Sequence, residues 1–462
     1  MPIPGLELVR LSYLQDLVGQ NIDQRNKYTT LRNYYDGNHA TQLTARLRAF
    51  LELSPSAPEF NLNLCPIVVD ALAERLKVVD FTCKDKKSAD LFRDWWMKNR
   101  MDAAQGVTHT AAVRDGDTYM LVGWDEEKGR PTFDQENAFD GSQGVHIVYS
   151  DECRTEPVVA RKQWITTQGA GLLVRHLNMY YPDRLLKYDD GGLGEDWIQR
   201  SEEDWLTKDG DPLGVPVFHF RNKDQGYSYG WSELDDVIPP QNLINKAVID
   251  VCGAADSTGF RMYTMTGGNP TGVTVAPGQW LWSTNPDAKI DAIDPADLSG
   301  LLELVDKGIA YVAYITRTPL SYFQLTGNIA AAGTLKEQRS GLVSKTMSRQ
   351  VDFGMTWSDA QHFARKLYNA YGPGGLDEEA EVTAVWKDDE KPDGKALAEE
   401  VEFLTRAQSA SVRTKVKILH PEWSEKEIKD EVDLIKAEQG MAVPDLGPMS
   451  VPPEKVPPEE AS

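Results

Sequence analysis

Two amphipathic helical segments with a β-patterned stretch between them restrict most strongly what this chain can fold into. The first begins at Pro239-Pro240, since proline is tolerated in a first helical turn, and places Ile244, Ala247, Val248, Val251, Cys252 and Ala255 on one stripe. The second takes Asp294 as N-cap and Pro295 as its first residue, with Leu298, Leu301, Leu302, Val305, Ile309, Val312 and Ala313 on its stripe. At about 1.5 Å per residue it reaches roughly 30 Å. Between them, Phe260 to Met265, Val273 to Ser283 and Ala288 to Ile293 read as strands around the turn residues Gly267-Gly268-Asn269-Pro270. The pattern is a small β module carried on two helical legs. Ile249 lies outside the first stripe and Leu304 at the edge of the second.

The flanking sequence fills in an α+β fold. Helical spacing runs through Leu8 to Val18, Gln24 to Tyr35, Leu43 to Leu51, Cys65 to Leu76, Ser88 to Lys98 and a segment containing His109 and Val113. From near residue 117, Thr118 to Trp124, Gly144 to Tyr149, Val158 to Thr166, Gly171 to Tyr181 and Val215 to His219 read as short antiparallel strands. After the second leg, Pro319 disfavours helix at Thr318, and a loop runs to Gly333. Thr334-Leu335-Lys336-Glu337 is a capping box that opens a long helix ending at Tyr371-Gly372-Pro373-Gly374-Gly375. A strand at Glu381 to Trp386 follows, then two helical stretches, the second opened by Ser424-Glu425-Lys426-Glu427, and a Pro- and Glu-rich tail expected to be disordered.

Charge and motifs exclude several functions. With 49 basic and 71 acidic residues the net charge is −22, which argues against a protein that coats DNA by neutralising phosphates; an acidic wall suits a conduit that DNA passes better than a clamp, and the same charge fits an ordinary soluble acidic protein equally well. No phosphate-binding loop occurs, so the chain is not a packaging ATPase, and neither H-E-x-x-H nor G-x-S-x-G is present. The seven histidines and four cysteines are dispersed without metal-ligand spacing, so no metal or other cofactor and no disulfide framework is expected. The acidic clusters read as solvated surface, and no enzymatic role is assigned. No apolar run approaches the roughly 18 to 20 residues of a membrane span, and the N-terminus lacks signal-peptide character, which points to a soluble protein assembled in a cytoplasm. Arg317, Lys336, Arg339, Lys345 and Arg349 form a local basic excess against one acid, Glu337. At about 100° per residue Lys336 and Arg339 point nearly opposite to Lys345 and Arg349, so they make no single stripe; they are candidates for a DNA channel or for inter-subunit ion pairs.

The order of these parts resembles the portal proteins of siphophages. Tyr34-Tyr35-Asp36-Gly37-Asn38-His39 looks like that family's tyrosine, glycine, histidine motif, and Val68 to Leu76 like its next helix. Asp115-Gly116-Asp117-Thr118-Tyr119 is similar to the strand opening its β region. Gly230-Trp231-Ser232-Glu233-Leu234 through Gln241-Asn242-Leu243-Ile244-Asn245-Lys246 is similar to the entry into its stem. The resemblance implies a wing at 1–230, a first stem helix at 231–256, a clip at 257–294 and a second stem helix at 295–317. A tunnel loop at 318–333, a long helix and wing return at 334–390, a helical crown at 391–440 and a disordered tail at 441–462 would follow. Stem packing falls to Ile244, Val248, Val251, Leu301, Val305 and Ile309, with Ile249 and Leu304 available for contact with a neighbouring copy in a ring, and the DNA-facing loop to Gln324, Leu325, Thr326, Gly327, Asn328 and Ile329.

Such proteins form homo-oligomeric rings, usually of twelve copies, at one capsid vertex of the virion, through which double-stranded DNA is packaged and ejected without sequence readout. The resemblance implies as partners the terminase large subunit, the head-tail adaptor, and the major capsid and scaffolding proteins, with no membrane. The competing readings are another virion structural or adaptor protein, which would lack the tunnel loop, and a carboxylate-dependent hydrolase, which requires a cleft with two carboxylates at catalytic separation.

Overall fold

The computed structural model describes residues 22–39, 62–150, 156–192, 197–258 except 225 and 227, 262–267, 287–293, 298–323, 332–387, and 401–441 except 408, 421, 422 and 424. The expected helices at Leu8 to Val18 and Leu43 to Leu51, the strand at Val273 to Ser283 and the C-terminal tail lie outside the described residues. The chain divides into two units, Met1–Trp386 and Lys387–Ser462.

The first unit opens with α1 (Ile22–Tyr35), α2 (Cys65–Ala73), β1 (Val78–Cys83), α3 (Lys86–Lys98) and α4 (Met101–Asp115). Helix α3 starts two residues before the expected Ser88, because the Asp85 carboxylate accepts from the Lys87 and Ser88 backbone N–H groups and so fixes the N-terminus. Strand β1, missed by the sequence reading, is a short segment with no flanking turn signal. It pairs antiparallel with the expected late strand, β12 (Val382–Trp386).

The β region comprises β2 (Asp117–Asp125), β3 (Arg130–Asn137), β4 (Gly144–Tyr149), β5 (Pro157–Gln168), β6 (Leu172–Tyr180), β7 (Arg184–Asp189), β8 (Ile198–Asp204) and β9 (Val217–Arg221). Five of them form an antiparallel meander, β4-β5-β6-β7-β8; β2 is the centre of a second sheet, β3-β2-β9. Strands β3, β7 and β8 are additions to the expected set. Each is rich in charged and amide side chains, and β8 is exposed along nearly its whole length, so apolar alternation does not mark it.

Helix α5 (Ile238–Thr258) leads into the hairpin β10 (Met262–Thr266) and β11 (Lys289–Ile293), and the chain returns through α6 (Ser299–Thr316). Helix α6 starts later than expected: Leu298, not Asp294, flanks its first turn, and residues 294–297 lie outside the described residues. The long helix α7 (Ala332–Tyr371) starts before the expected cap, so Thr334 lies inside the helix rather than capping it.

The main core gathers around Phe92, Trp95, Trp96, Phe220, Phe353 and Trp357, and takes Ile244 from α5 and Val312 from α6. The legs are therefore rooted in the same apolar interior as the N-terminal helices. At its centre Trp357 Nε1 donates to His109 Nε2 (2.9 Å), and His109 Nδ1 lies 2.8 Å from the Leu76 carbonyl. This pattern fixes a neutral imidazole protonated on Nδ1. The second unit holds α8 (Val412–Leu419), capped by the Ser411 hydroxyl, and α9 (Glu425–Met441), packed through Val416, Ile428 and Val432.

Candidate functional site

The foot of the two helical legs is where the separate sequence motifs converge. Gly116 and Gly230 bring two backbones into contact: a Cβ on Gly230 would lie 2.1 Å from the Gly116 carbonyl oxygen, so only glycine fits there. The Asn222 N–H donates to the Gly116 carbonyl (2.8 Å), the Trp231 N–H to the Asn222 carbonyl (2.7 Å), and the Gly230 N–H to Asp117 Oδ1 (2.7 Å). The chain then turns into α5, whose first polar side chains hold the N-terminal motif. Tyr34 donates to Asn242 Oδ1 (2.8 Å), the Leu64 N–H to Gln241 Oε1 (2.9 Å), and the Leu62 N–H to Asn245 Oδ1 (3.0 Å). His39 stacks on Tyr34 with ring centroids 4.1 Å apart, and its Nε2 lies 3.2 Å from Asn245 Nδ2.

Glu233, just before α5, is the electrostatic centre of this foot. Lys345 Nζ lies 2.6 Å from Oε2, Arg349 Nη2 3.2 Å from Oε1, and Lys223 Nζ 3.4 Å from Oε2. Lys345 also donates to the Thr316 carbonyl at the C-terminal end of α6 (3.0 Å), and Arg349 Nε donates to Asn222 Oδ1 (2.5 Å). Burial raises the Glu233 carboxyl, but the charges of Lys345, Lys223 and Arg349 more than offset it and hold the group down to about 2. The cluster ties the entry of the first leg, the exit of the second and the long helix to one another.

Lys345 and Arg349 are thus engaged inside their own chain, at i, i+4 on the face of α7 that also buries Leu342, Thr346 and Phe353. This differs from their expected place in a channel or between subunits: both side chains are buried, and the carboxylate that neutralises them is intrachain. Arg317 is exposed in a left-handed conformation (φ 56°) just after α6, and Arg339 is exposed on α7. Lys336 lies within α7, its side chain outside the described ones, and Gln324, Leu325, Thr326, Gly327, Asn328 and Ile329 lie outside the described residues.

Four of the six residues expected in the stem, Ile244, Val248, Val305 and Ile309, are brought together on one core. Ile244 is fully buried, Val248, Val305 and Ile309 pack on the same core, and Val251 and Leu301 are half-buried. Ile244 faces Gly308 so closely that a Cβ there would lie 2.7 Å from Ile244 Cγ1. Ile249, expected to meet a neighbour, is instead buried in its own chain, whereas Leu304 is exposed. Leu302, Tyr311, Tyr314 and Ile315 on α6 are also exposed, as are Met347, Val351 and Met355 on α7.

Sequence reasoning missed Glu233 as a hub, although it quoted the residue within a motif. Its partners Lys345 and Arg349 stand more than a hundred positions downstream, beyond the reach of any periodicity. The available signal was the i, i+4 pair of cations on an apolar face, which demands a buried acid.

A family model described as "Phage portal protein, SPP1 Gp6-like" matches residues 14–445. The portal protein of Mycobacterium phage D29 is 21% identical over 421 residues, covering 86% of this chain and 83% of the relative. That of Mycobacterium phage L5 is 21% identical over 433 residues, covering 86% of this chain and 83% of the relative. Among solved structures, a chain of the "Neck of native GTA particle computed with C12 symmetry" superposes with a TM-score of 0.44 at 13% identity, covering 77% of this chain and 89% of the other. A chain of the "Neck of empty GTA particle computed with C6 symmetry" gives 0.41 at 11% identity, covering 75% and 85%. The chain belongs to the phage portal protein family, SPP1 Gp6-like.

Proposed function

We propose that twelve copies of this chain close into a ring at one capsid vertex, and that double-stranded DNA enters and leaves the capsid through its central channel. The observation that carries this reading is the pair of helices α5 and α6, rooted in the core at one end, locked there by Glu233, and carrying the β10–β11 hairpin at the other. In the ring, α5 and α6 are the stem, and the hairpin is the clip that docks the terminase large subunit and later the head-tail adaptor. The segment that joins α6 to α7, Gln324 to Ile329 included, is the part of each subunit that meets DNA, the helices of the unit Lys387–Ser462 form a crown, and the major capsid and scaffolding proteins are further partners.

Ring closure requires each subunit to offer two different complementary faces. The exposed side chains Leu304, Tyr311 and Ile315 on α6 and Met347, Val351 and Met355 on α7 are apolar surface of the kind that marks a protein interface. The net charge of −22 favours passage of phosphates over adhesion to them. No catalytic step is assigned to the chain. The reading is tested by replacing residues 262–293 with a short linker. Rings should persist while the terminase large subunit no longer binds; retained terminase binding would remove the hairpin from the docking role.

A further inference from the structure

The second unit carries opposite charges on its two broad faces. Its helices α8 and α9 are separated only by residues 420–424, a connection short enough to pack them antiparallel. Val416, Ile428 and Val432 fill the contact, with Val412, Trp423 and Ile435 at its margin. At about 100° per residue, Arg413 and Lys417 lie about 60° and 100° round α8 from Val416. Lys429 and Lys436 lie about 100° and 80° round α9 from Ile428, turning in the same sense. In an antiparallel pair the same sense of turn from the contact leads to the same face, so these cations share one face.

Glu427, Glu431 and Glu438 lie about 100°, 60° and 80° from Ile428 in the opposite sense, and so share the other face. Apart from Glu431, which is half-buried, the charged side chains of both faces are exposed. Leu434 (60% exposed) and Leu419 (40% exposed) stand on the acidic face, where Lys415 is the one cation among the described side chains. Asp430 and Asp433 point away from the contact and belong to neither face. Among the described residues the unit buries only Val416, Ile428 and Val432, far less apolar surface than a helix pair needs to stand alone.

We propose that the α8–α9 pairs of neighbouring copies stack head to tail, the basic face of one against the acidic face of the next, with Leu419 and Leu434 sealed in the seam. The occupant of each face is therefore a second copy of this chain. A two-fold pairing would set like charges against each other, whereas a rotation that closes a ring presents basic to acidic at every step. The contact rests on the ring reading and adds to it what holds the helices of the crown side by side. The leucines supply the apolar burial that the pair lacks within one copy.

The test uses the full-length protein, co-assembled from nitrogen-15-labelled and unlabelled chains and treated with a carbodiimide, which joins an amine to a carboxylate in contact with it. Mass spectrometry should find Lys417, Lys429 or Lys436 joined to Glu427, Glu431 or Glu438 in pairs that mix the two isotopes and so come from two copies. Lys417→Glu/Lys429→Glu/Lys436→Glu should lower the melting temperature by about 2–4 °C, because it sets carboxylate against carboxylate. Adding Glu427→Lys/Glu431→Lys/Glu438→Lys to the same chain should restore it, and pairs within one chain could not do so, since the two faces look away from each other. Rings in which those lysines link only within one chain, or to acids outside 425–441, would overturn the contact and leave the ring reading standing, as would a doubly reversed chain that melts no higher than the singly reversed one. A monomeric mass before cross-linking would remove both.

Discussion

Glu233 and Lys345, separated by 112 positions, meet at 2.6 Å in the buried foot of the two helical legs, and Lys345 reaches on to the last turn of α6 through the Thr316 carbonyl. Removing one partner of a buried pair leaves the other charge uncompensated, at about 3–5 kcal/mol. Glu233→Ala should therefore lower unfolding stability by about that much, measured by denaturant titration. Because Arg349 and Lys223 share the same carboxylate, Lys345→Met alone should cost less than Glu233→Ala, and the double variant Glu233→Ala/Lys345→Met should cost less than the two single effects added together. Strict additivity would mean that the two residues are not coupled.

The crossing of α5 and α6 depends on the missing side chain at Gly308. A Cβ there would press within 2.7 Å of Ile244 Cγ1, closer than packed carbon atoms come. Gly308→Val should destabilise the stem by about 1–3 kcal/mol through overpacking. Ile244→Ala combined with Gly308→Ala should cost less than the two single effects added together, since the smaller side chain at 244 makes room for the added methyl. Unchanged melting of Gly308→Val would show that the helices do not approach there.

Acid should weaken the core through His109. Burial holds this imidazole down to about 4, against about 6.5 in an unfolded chain. The folded state therefore binds fewer protons than the unfolded one between these values. The stabilisation is complete above about pH 6.5 and is lost as pH falls toward about 4, up to about 3 kcal/mol in total. His109→Gln, which can still accept from Trp357 and donate to the Leu76 carbonyl, should flatten that part of the stability-pH profile. A profile identical to that of the unaltered protein would assign the acid sensitivity elsewhere.

The segment that joins α6 to α7 is expected to act on DNA and not on assembly. Deleting residues 324–330 leaves Tyr322, whose hydroxyl accepts from Arg75 Nη2, and Lys345 in place. Rings should form normally while infectious particles carry less DNA, measured as packaged genome per capsid. Loss of rings on deletion would make the segment a subunit contact.

The legs were legible in the sequence because amphipathic stripes such as Ile244, Ala247 and Val248 record directly which face meets the core. Strands β2, β4, β5 and β6 were legible for the same reason, through apolar residues facing buried surface. Strand β8, with Glu202, Glu203 and Asp204 exposed on a sheet edge, carries no such record; its pairing with β7 fixes it instead. Helix starts misled where local cap chemistry competed with neighbouring structure: Thr334 has the spacing of a cap, yet the helix already includes it. The foot of the stem was legible as separate motifs but not as one site, since Gly116, Gly230, Glu233 and Lys345 are joined only by the tertiary fold.

Electron cryo-microscopy of the purified full-length protein decides whether the chain builds a channel. Closed twelvefold rings are expected, with α5 and α6 of every subunit lining a continuous axial channel and Glu233 buried against Lys345 of the same chain. Monomers or open filaments, or rings in which α5 and α6 lie on the outside, would contradict that expectation.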